Sequence, residues 1–272
     1  MSKGLPPGIS KLGRWLFRER SPRRAIGEIP LPPEELRGPI GPGDFSRVGQ
    51  DFFGLFVDKG KLCPQERILD VGCGLGRMAV PLSRYVVSGG SYEGFDIVRS
   101  SIEWCRQEIS TRHPNFVFQH ANIHNRFYNP QGVLSAAEYR FPFEDDEFDF
   151  AFATSVFTHM LSDEVITYLA ELHRVLKPSG RLFATLFLID ETTSERIANC
   201  QSGIAFENEW EYGRTEKEDT PEFAIAYNIN WMYEQYSASG LSIVEPVHFG
   251  EWSGRSDHLS YQDIVIASNK GP

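Results

Sequence analysis

Residues 67–77, Arg-Ile-Leu-Asp-Val-Gly-Cys-Gly-Leu-Gly-Arg, set one acid, Asp70, ahead of three glycines at every second position, Gly72, Gly74 and Gly76. Without Cβ atoms, such residues let a ligand touch main-chain amides where a strand turns into a helix. A dinucleotide loop wants its third glycine one position later, where Arg77 stands, so a nicotinamide cofactor is disfavoured. Asp70 would repel a pyrophosphate but attract an ammonium group, directly or through water. The ligand expected at this loop therefore carries an amine at that end. Cysteines 63, 73, 105 and 200 show neither metal-ligand spacing nor a disulfide framework, which suits thiols of a reducing compartment and a cytoplasmic location. No tight cluster of histidines and carboxylates is legible along the chain, and no metal site is assigned.

These residues need a scaffold that brings strand ends together. Apolar strand candidates fall at 67–71, 91–96, 116–120, 148–153 and 181–188, with helical stretches at 76–86, 99–112 and 162–176 between them. The alternation predicts parallel strands with crossover helices, a doubly wound sheet whose ligands sit at the carboxyl ends of its strands. Two further apolar segments, 241–249 and 261–268, follow a helix ending near Gly240 and suit a closing antiparallel hairpin. The fold class expected is α/β: a Rossmann-like seven-stranded sheet, mostly parallel with a terminal antiparallel hairpin, and helices on both faces.

Charge narrows the function. The 272 residues carry 27 Lys plus Arg against 37 Asp plus Glu, a formal −10, which opposes the basic footprint of a nucleic-acid binder and favours a small-molecule substrate. Residues 1–24 hold seven cations and one acid, net +6, leaving −16 for the rest. Within them Ile9, Leu12 and Leu16 recur at helical spacing beside Trp15 and Phe17. Residues 9–24 are thus read as a flexible or self-docking arm, or as a basic amphipathic helix touching an anionic membrane or another subunit. A Pro/Gly-rich linker follows. The organisation expected is an extension over 1–43 and one domain over 44–272, with insertions at about 123–145 and 191–235. Helical spacing of Val48, Phe52, Leu55 and Phe56 predicts a helix across the domain's entrance.

At residues 69–77, "LDVGCGLGR", the chain resembles the class I S-adenosylmethionine-dependent methyltransferases, whose first motif is an acid followed by G-x-G-x-G. "YEGFDIV", "FQHANIH", "FDFAFATSVFTHM" and "LAELHRVLKPSGRLFATLF" extend the resemblance over about 65–190. The resemblance implies S-adenosylmethionine as cofactor and S-adenosylhomocysteine as product. It places Asp70, Gly72, Gly74, Gly76 and Arg77 at the donor loop, Asp96 on the ribose hydroxyls, Ile97 against the donor, and Asn122 with Ile123 beside the adenine. Asn122 stands where many relatives have aspartate. Thr154 and Val156 complete the donor set, and Asp44 and Phe45 are expected to close over it.

Methyl transfer from a sulfonium is an in-line displacement in which positioning carries most of the work. An alcohol acceptor must also lose its proton, so a base is sought. His159, after the fourth strand, His248 and Asp190 are the catalytic candidates, against capping or packing roles. Tyr128 and Asn129, in the long connection after the third strand, offer apolar faces with polar tips suited to sugars. Trp210, Trp252, Arg255 and His258 are expected to finish a substrate cap, against a plain core role for the aromatics. "YNPQG", "SVFTHM", "YLAELHRVLKPSGR" and "YQDIVIAS" look like bacterial methyltransferases of glycan, glycolipid or natural-product assembly. That likeness implies an O-methyltransferase whose favoured acceptor is a saccharide hydroxyl. The alternatives are a natural-product or protein methyltransferase, or a donor-binding protein without catalysis.

Overall fold

A computed structural model describes residues 28–38 and 43–271. The arm expected over 9–24 lies outside the described residues. Helix α1 (Phe45–Asp58) starts at Asp44, whose carboxylate accepts the Arg47 amide at 2.7 Å, a side-chain N-cap. Strand β1 (Arg67–Val71) follows, then the glycine turn, short helix α2 (Ala79–Leu82) and β2 (Ser91–Asp96). Helix α3 (Arg99–Cys105) runs on through a π turn to Ser110 and leads to β3 (Phe116–His120). The chain then crosses to β4 (Phe148–Ala153), α4 (Ser162–Val175) and β5 (Leu176–Leu186).

Beyond these come the short β6 (Leu188–Ile189), α5 (Glu191–Ala198), β7 (Asn208–Trp210), β8 (Gly213–Thr215) and β9 (Ile225–Asn228). Helix α6 (Ile229–Ala238), β10 (Leu241–Ile243) and β11 (Asp263–Asn269) close the described chain. The main sheet has seven strands in the order β10-β11-β5-β4-β1-β2-β3. Its strands pair in parallel from β5 to β3, and β11 runs antiparallel to both β5 and β10. This is the α/β sheet with a terminal hairpin that the alternation predicts.

Side chains of β1 alternate between two cores, which is why its apolar run is continuous. Leu69 and Val71 join the cluster built on α4 and α6, while Ile68 joins the one built on α1 and α3. Chain order reverses between β1 and β4, where Asp70 pairs with Phe152 and Val71 with Ala153. That reversal opens a crevice at the strands' carboxyl ends, bringing the glycine turn beside Thr154–Val156.

Three departures from the expected elements have local causes. Lys177–Gly180 bulges out within β5 rather than preceding it, with Ser179 left-handed (φ 67°) and the register shifting between Phe148 and Phe150. The segment 241–249 breaks its ladder to β11 around Pro246, which has no amide to donate, and pairs again only at His248, which bridges Ile264. Residues 188–228 form a second, four-stranded sheet, ordered β6-β9-β8-β7. Around it Phe187, Ile189, Ile197, Phe206 and Trp252 pack as a satellite core.

Candidate active site

A cavity of about 780 Å³ lies at the carboxyl ends of β1, β2 and β4 and beneath α1. Asp70, 1% exposed, forms its floor. The Tyr92 hydroxyl donates to Asp70 Oδ2, whereas Oδ1 has no partner among the described residues. Burial pushes this carboxyl up to about 8; the Tyr92 bond opposes the shift, Asp96 adds to it, and Arg77 opposes it. Such an unpartnered, buried oxygen is stable beside a cation and costly without one. Gly72 is left-handed (φ 76°), and a Cβ there would stand 2.5 Å from Val156 Cγ2. The turn therefore tolerates only glycine and exposes its backbone to the cavity.

Asp96 receives the Gly74 amide at 2.8 Å and the Val98 amide at 2.7 Å, one on each oxygen. Burial raises its pKa against these amide donors, and each oxygen keeps a lone pair for a further donor. Arg77 also lines the cavity, with no side-chain hydrogen bond or ion pair among the described residues. Burial lowers its pKa, and Asp70 works the other way.

His159 stands in the opposite wall, in the turn after β4. Its Nδ1 lies 3.2 Å from the Glu222 carbonyl oxygen. A carbonyl only accepts, so Nδ1 carries the proton and Nε2 keeps its lone pair. Burial lowers the histidine's pKa, and the carbonyl contacts to Glu222 and Phe223 oppose it. The imidazole is thus held neutral near pH 7 with one nitrogen free to take a proton. Tyr128 meets this ring edge-on at 5.9 Å.

The cavity gathers Asp70, Gly72, Gly74, Arg77, Asp96, Ile97, Ile123, Thr154, Val156, Tyr128 and His159. The other residues singled out in the sequence sit elsewhere. A Cβ on Gly76 would meet Ile109 Cδ1 at 2.6 Å, so this glycine seats the loop on the turn after α3. Asn122 accepts the Val133 and Leu134 amides through its carbonyl, and Asn129 donates to the Ile123 carbonyl at 2.9 Å; both brace the long loop. Asp190 caps α5 through the Thr193 amide and grips Arg255 at 2.6 and 2.8 Å. Burial alone would raise its pKa, but Arg255 and Thr193 outweigh that and lower it, which leaves a poor proton acceptor.

Trp252 is fully buried, its indole donating to Asp263 at 2.9 Å. Trp210 ends β7 outside the cavity. His248, Arg255 and His258 line a separate cleft of about 600 Å³ with Lys59 and Arg196. Asp44 is a helix cap and Phe45 is core; α1 instead offers Val48, Asp51, Phe52 and Leu55 to the cavity. No group of three metal-ligating side chains occurs among the described residues.

Several lining residues had escaped notice. Glu164 and Tyr168 of α4 both line the cavity, and their spacing of four put them on one helical face. Phe127 and Phe223 meet edge-on at 6.1 Å, and Phe187, Leu259, Tyr261 and Gln262 complete that side. These come from segments far apart in the chain; Phe223 belongs to the aromatic-rich 191–235 insertion expected to form part of the cap, and no local signal marked the others.

Comparison with known proteins agrees with this geometry. The methyltransferase domain family matches residues 69–184, the span from β1 through most of β5. Residues 69–184 carry a methyltransferase domain of the class I, S-adenosylmethionine-dependent kind. The methyltransferase domain is 30% identical over 120 residues to the 2-phytyl-1,4-naphtoquinone methyltransferase of Nostoc sp., covering 43% of this chain and 45% of that one. It is also 30% identical over 117 residues to the O-methyltransferase cnsE of Penicillium expansum, covering 43% and 36%. The match therefore spans less than half the length of these curated relatives. The PH0226 protein of Pyrococcus horikoshii OT3 shares the fold, with a TM-score of 0.55, 18% identity and coverage of 85% and 93%.

S-adenosylmethionine is the cofactor of this domain class, and the residues present fit it. The unpartnered Asp70 Oδ1 suits the methionyl ammonium, and unpaired Arg77 suits the carboxylate. The free lone pairs of Asp96 suit the ribose hydroxyls, and the bare turn at Gly72 allows close approach. Among the described residues no helix is long and apolar enough to cross a membrane.

Proposed function

We propose that the protein transfers a methyl group from S-adenosylmethionine to a hydroxyl oxygen of a small molecule, with His159 as general base. When bound, the cofactor supplies an electrophilic methyl group on a sulfonium. The chain's own task is to hold the acceptor in line, exclude water and remove the hydroxyl proton. The observation that carries the proposal is the fixed tautomer of His159, whose protonated Nδ1 is tied to the Glu222 carbonyl and whose Nε2 is left basic inside the cavity. Tyr168 and Glu164, from the same wall, add a hydroxyl and a half-buried carboxylate.

The acceptor side is walled by Phe52, Phe127, Phe187, Phe223, Leu259 and Tyr261. Such walls favour a flat, mostly apolar ring carrying oxygen substituents. The saccharide expected from the sequence keeps Tyr128 in the cavity but has less support, because Asn129 braces the loop and Trp210 and Trp252 of the expected cap lie outside the cavity. The naphtoquinone in one relative's name agrees with a ring acceptor, and the O-methyltransferase name of the other agrees with oxygen as the atom methylated.

The test is transfer of labelled methyl from S-adenosylmethionine to a panel of phenols, quinols, amines and oligosaccharides. Label in phenols or quinols is expected. Label confined to saccharides would overturn the ring acceptor, and label confined to amines would overturn the base.

A further inference from the structure

The carboxyl end of β4 carries an unusual conformation. Ser155, between Thr154 and Val156 in the cavity wall, is left-handed at φ 59°. A non-glycine residue held there costs of order 1–3 kcal/mol and persists only where its surroundings over-determine it. The surroundings are a short chain of hydrogen bonds. The Ser155 amide donates to Thr185 Oγ1 at 2.8 Å, and the Thr185 hydroxyl donates to Gln262 Oε1 at 2.6 Å. The Ser155 hydroxyl lies 3.0 Å from the same Gln262 oxygen.

Those bonds fix which way the glutamine amide faces. Thr185 is fully buried, and the Gln262 oxygen is the acceptor its hydroxyl proton meets among the described residues. Turning the amide over would leave that proton orphaned in the core, a loss of about 1–3 kcal/mol. With Thr185 and Ser155 both donating, the two lone pairs of Oε1 are used. The Nε2 group keeps two N–H donors with no partner among the described residues, on a half-buried side chain that lines the cavity beside Leu259, Ser260 and Tyr261.

We propose that Gln262 is a specificity-determining residue: its anchored amide donates to a carbonyl or other accepting oxygen next to the acceptor's reactive hydroxyl. This rests on the O-methyl transfer proposed above and narrows the acceptor to rings whose hydroxyl has an oxygen-bearing neighbour. A site that presents fixed donors rejects an analogue lacking the matching acceptor, because the donors are then left unpaired. Thr185 and Ser155 are positioning residues, acting through the glutamine.

The probes are ortho-hydroxyacetophenone, with a carbonyl beside its hydroxyl, and ortho-ethylphenol, which has the same outline without the carbonyl oxygen. In steady-state assays of the full chain, the carbonyl compound should show a KM at least tenfold lower. Gln262→Leu and Gln262→Glu should erase that preference, the second while still accepting the Ser155 and Thr185 hydroxyls. Thr185→Val should reduce it and Thr185→Ser should restore it. S-adenosylhomocysteine affinity should be unchanged throughout. A preference that survives both Gln262 variants overturns the proposal, and so does a Gln262 variant that weakens S-adenosylhomocysteine binding.

A second readout needs no turnover. In the S-adenosylhomocysteine complex, the side-chain amide resonances of Gln262 should move on adding ortho-hydroxyacetophenone and stay put with ortho-ethylphenol. Equal response to both probes, or none to either, overturns the proposal. Absence of S-adenosylhomocysteine binding would instead sink the donor pocket.

Discussion

Asp70 makes donor binding a proton-linked event. Its carboxyl is pushed up to about 8, chiefly by burial, so at pH 7 roughly nine-tenths of the ligand-free molecules hold a proton there. An ammonium group beside Oδ1 favours the carboxylate instead, and binding should release about 0.9 proton at pH 7. Between pH 6 and pH 8 the dissociation constant should fall by up to about 50-fold, on the order of 2 kcal/mol.

The stability sign is opposite for the free protein. A carboxyl raised above its unfolded value of 3.8 makes the native state bind more protons, so ligand-free stability falls as pH rises from about 4 to 8. The thermal shift produced by S-adenosylhomocysteine should accordingly grow toward pH 8. Calorimetry in buffers of different ionisation enthalpy counts the protons, and Asp70→Asn should abolish the release and flatten the pH dependence. Equal binding heats in those buffers for the wild type, or proton release persisting in Asp70→Asn, would refute the ammonium assignment.

Asp96→Ala removes the carboxylate proposed to take the ribose hydroxyls and should weaken S-adenosylhomocysteine at least tenfold, since charge-assisted bonds contribute about 1.5–3 kcal/mol; unchanged affinity by calorimetry would contradict that role. His159→Gln should lower kcat by about 10²–10⁴ with donor affinity intact. Because the histidine's pKa is lowered from 6.5, wild-type kcat should be flat above neutrality and fall only at more acid pH, and the variant should lose that fall. Trp252→Phe takes one of three donors from buried Asp263 and should cost about 1–3 kcal/mol in urea unfolding, with methyl transfer retained; a raised KM without destabilisation would return Trp252 to the substrate.

The glycine turn was legible because its code is contiguous. An acid and a glycine turn are encoded within seven residues, from Asp70 to Gly76, and the turn's left-handed φ values are ones side chains disfavour. The five parallel strands were equally readable: β1 and β4, buried on both faces, write nearly unbroken apolar runs, and β2 and β3 alternate buried with less buried positions. The acceptor half obeys no such local rule. Phe127, Phe223 and Tyr261 converge from three segments separated by dozens of residues, and each reads equally well as core or as platform.

Trp252 shows why aromatic density misled. A buried indole usually pairs its N–H with an acceptor, and the acceptor here is Asp263, a carboxylate that also takes the Gly250 and Leu188 amides. One buried acid thus ties the β5–β6 junction, the loop after β10 and the start of β11 together, drawing the tryptophan into that knot and away from the cavity. The next residue back, Gln262, is carried by the same strand end to the cavity wall. Fixing Asp263 beside the satellite core therefore positions Gln262 against Thr185 and Ser155: the buried polar cluster around Asp263 also holds in place the pair of N–H donors proposed to meet the acceptor.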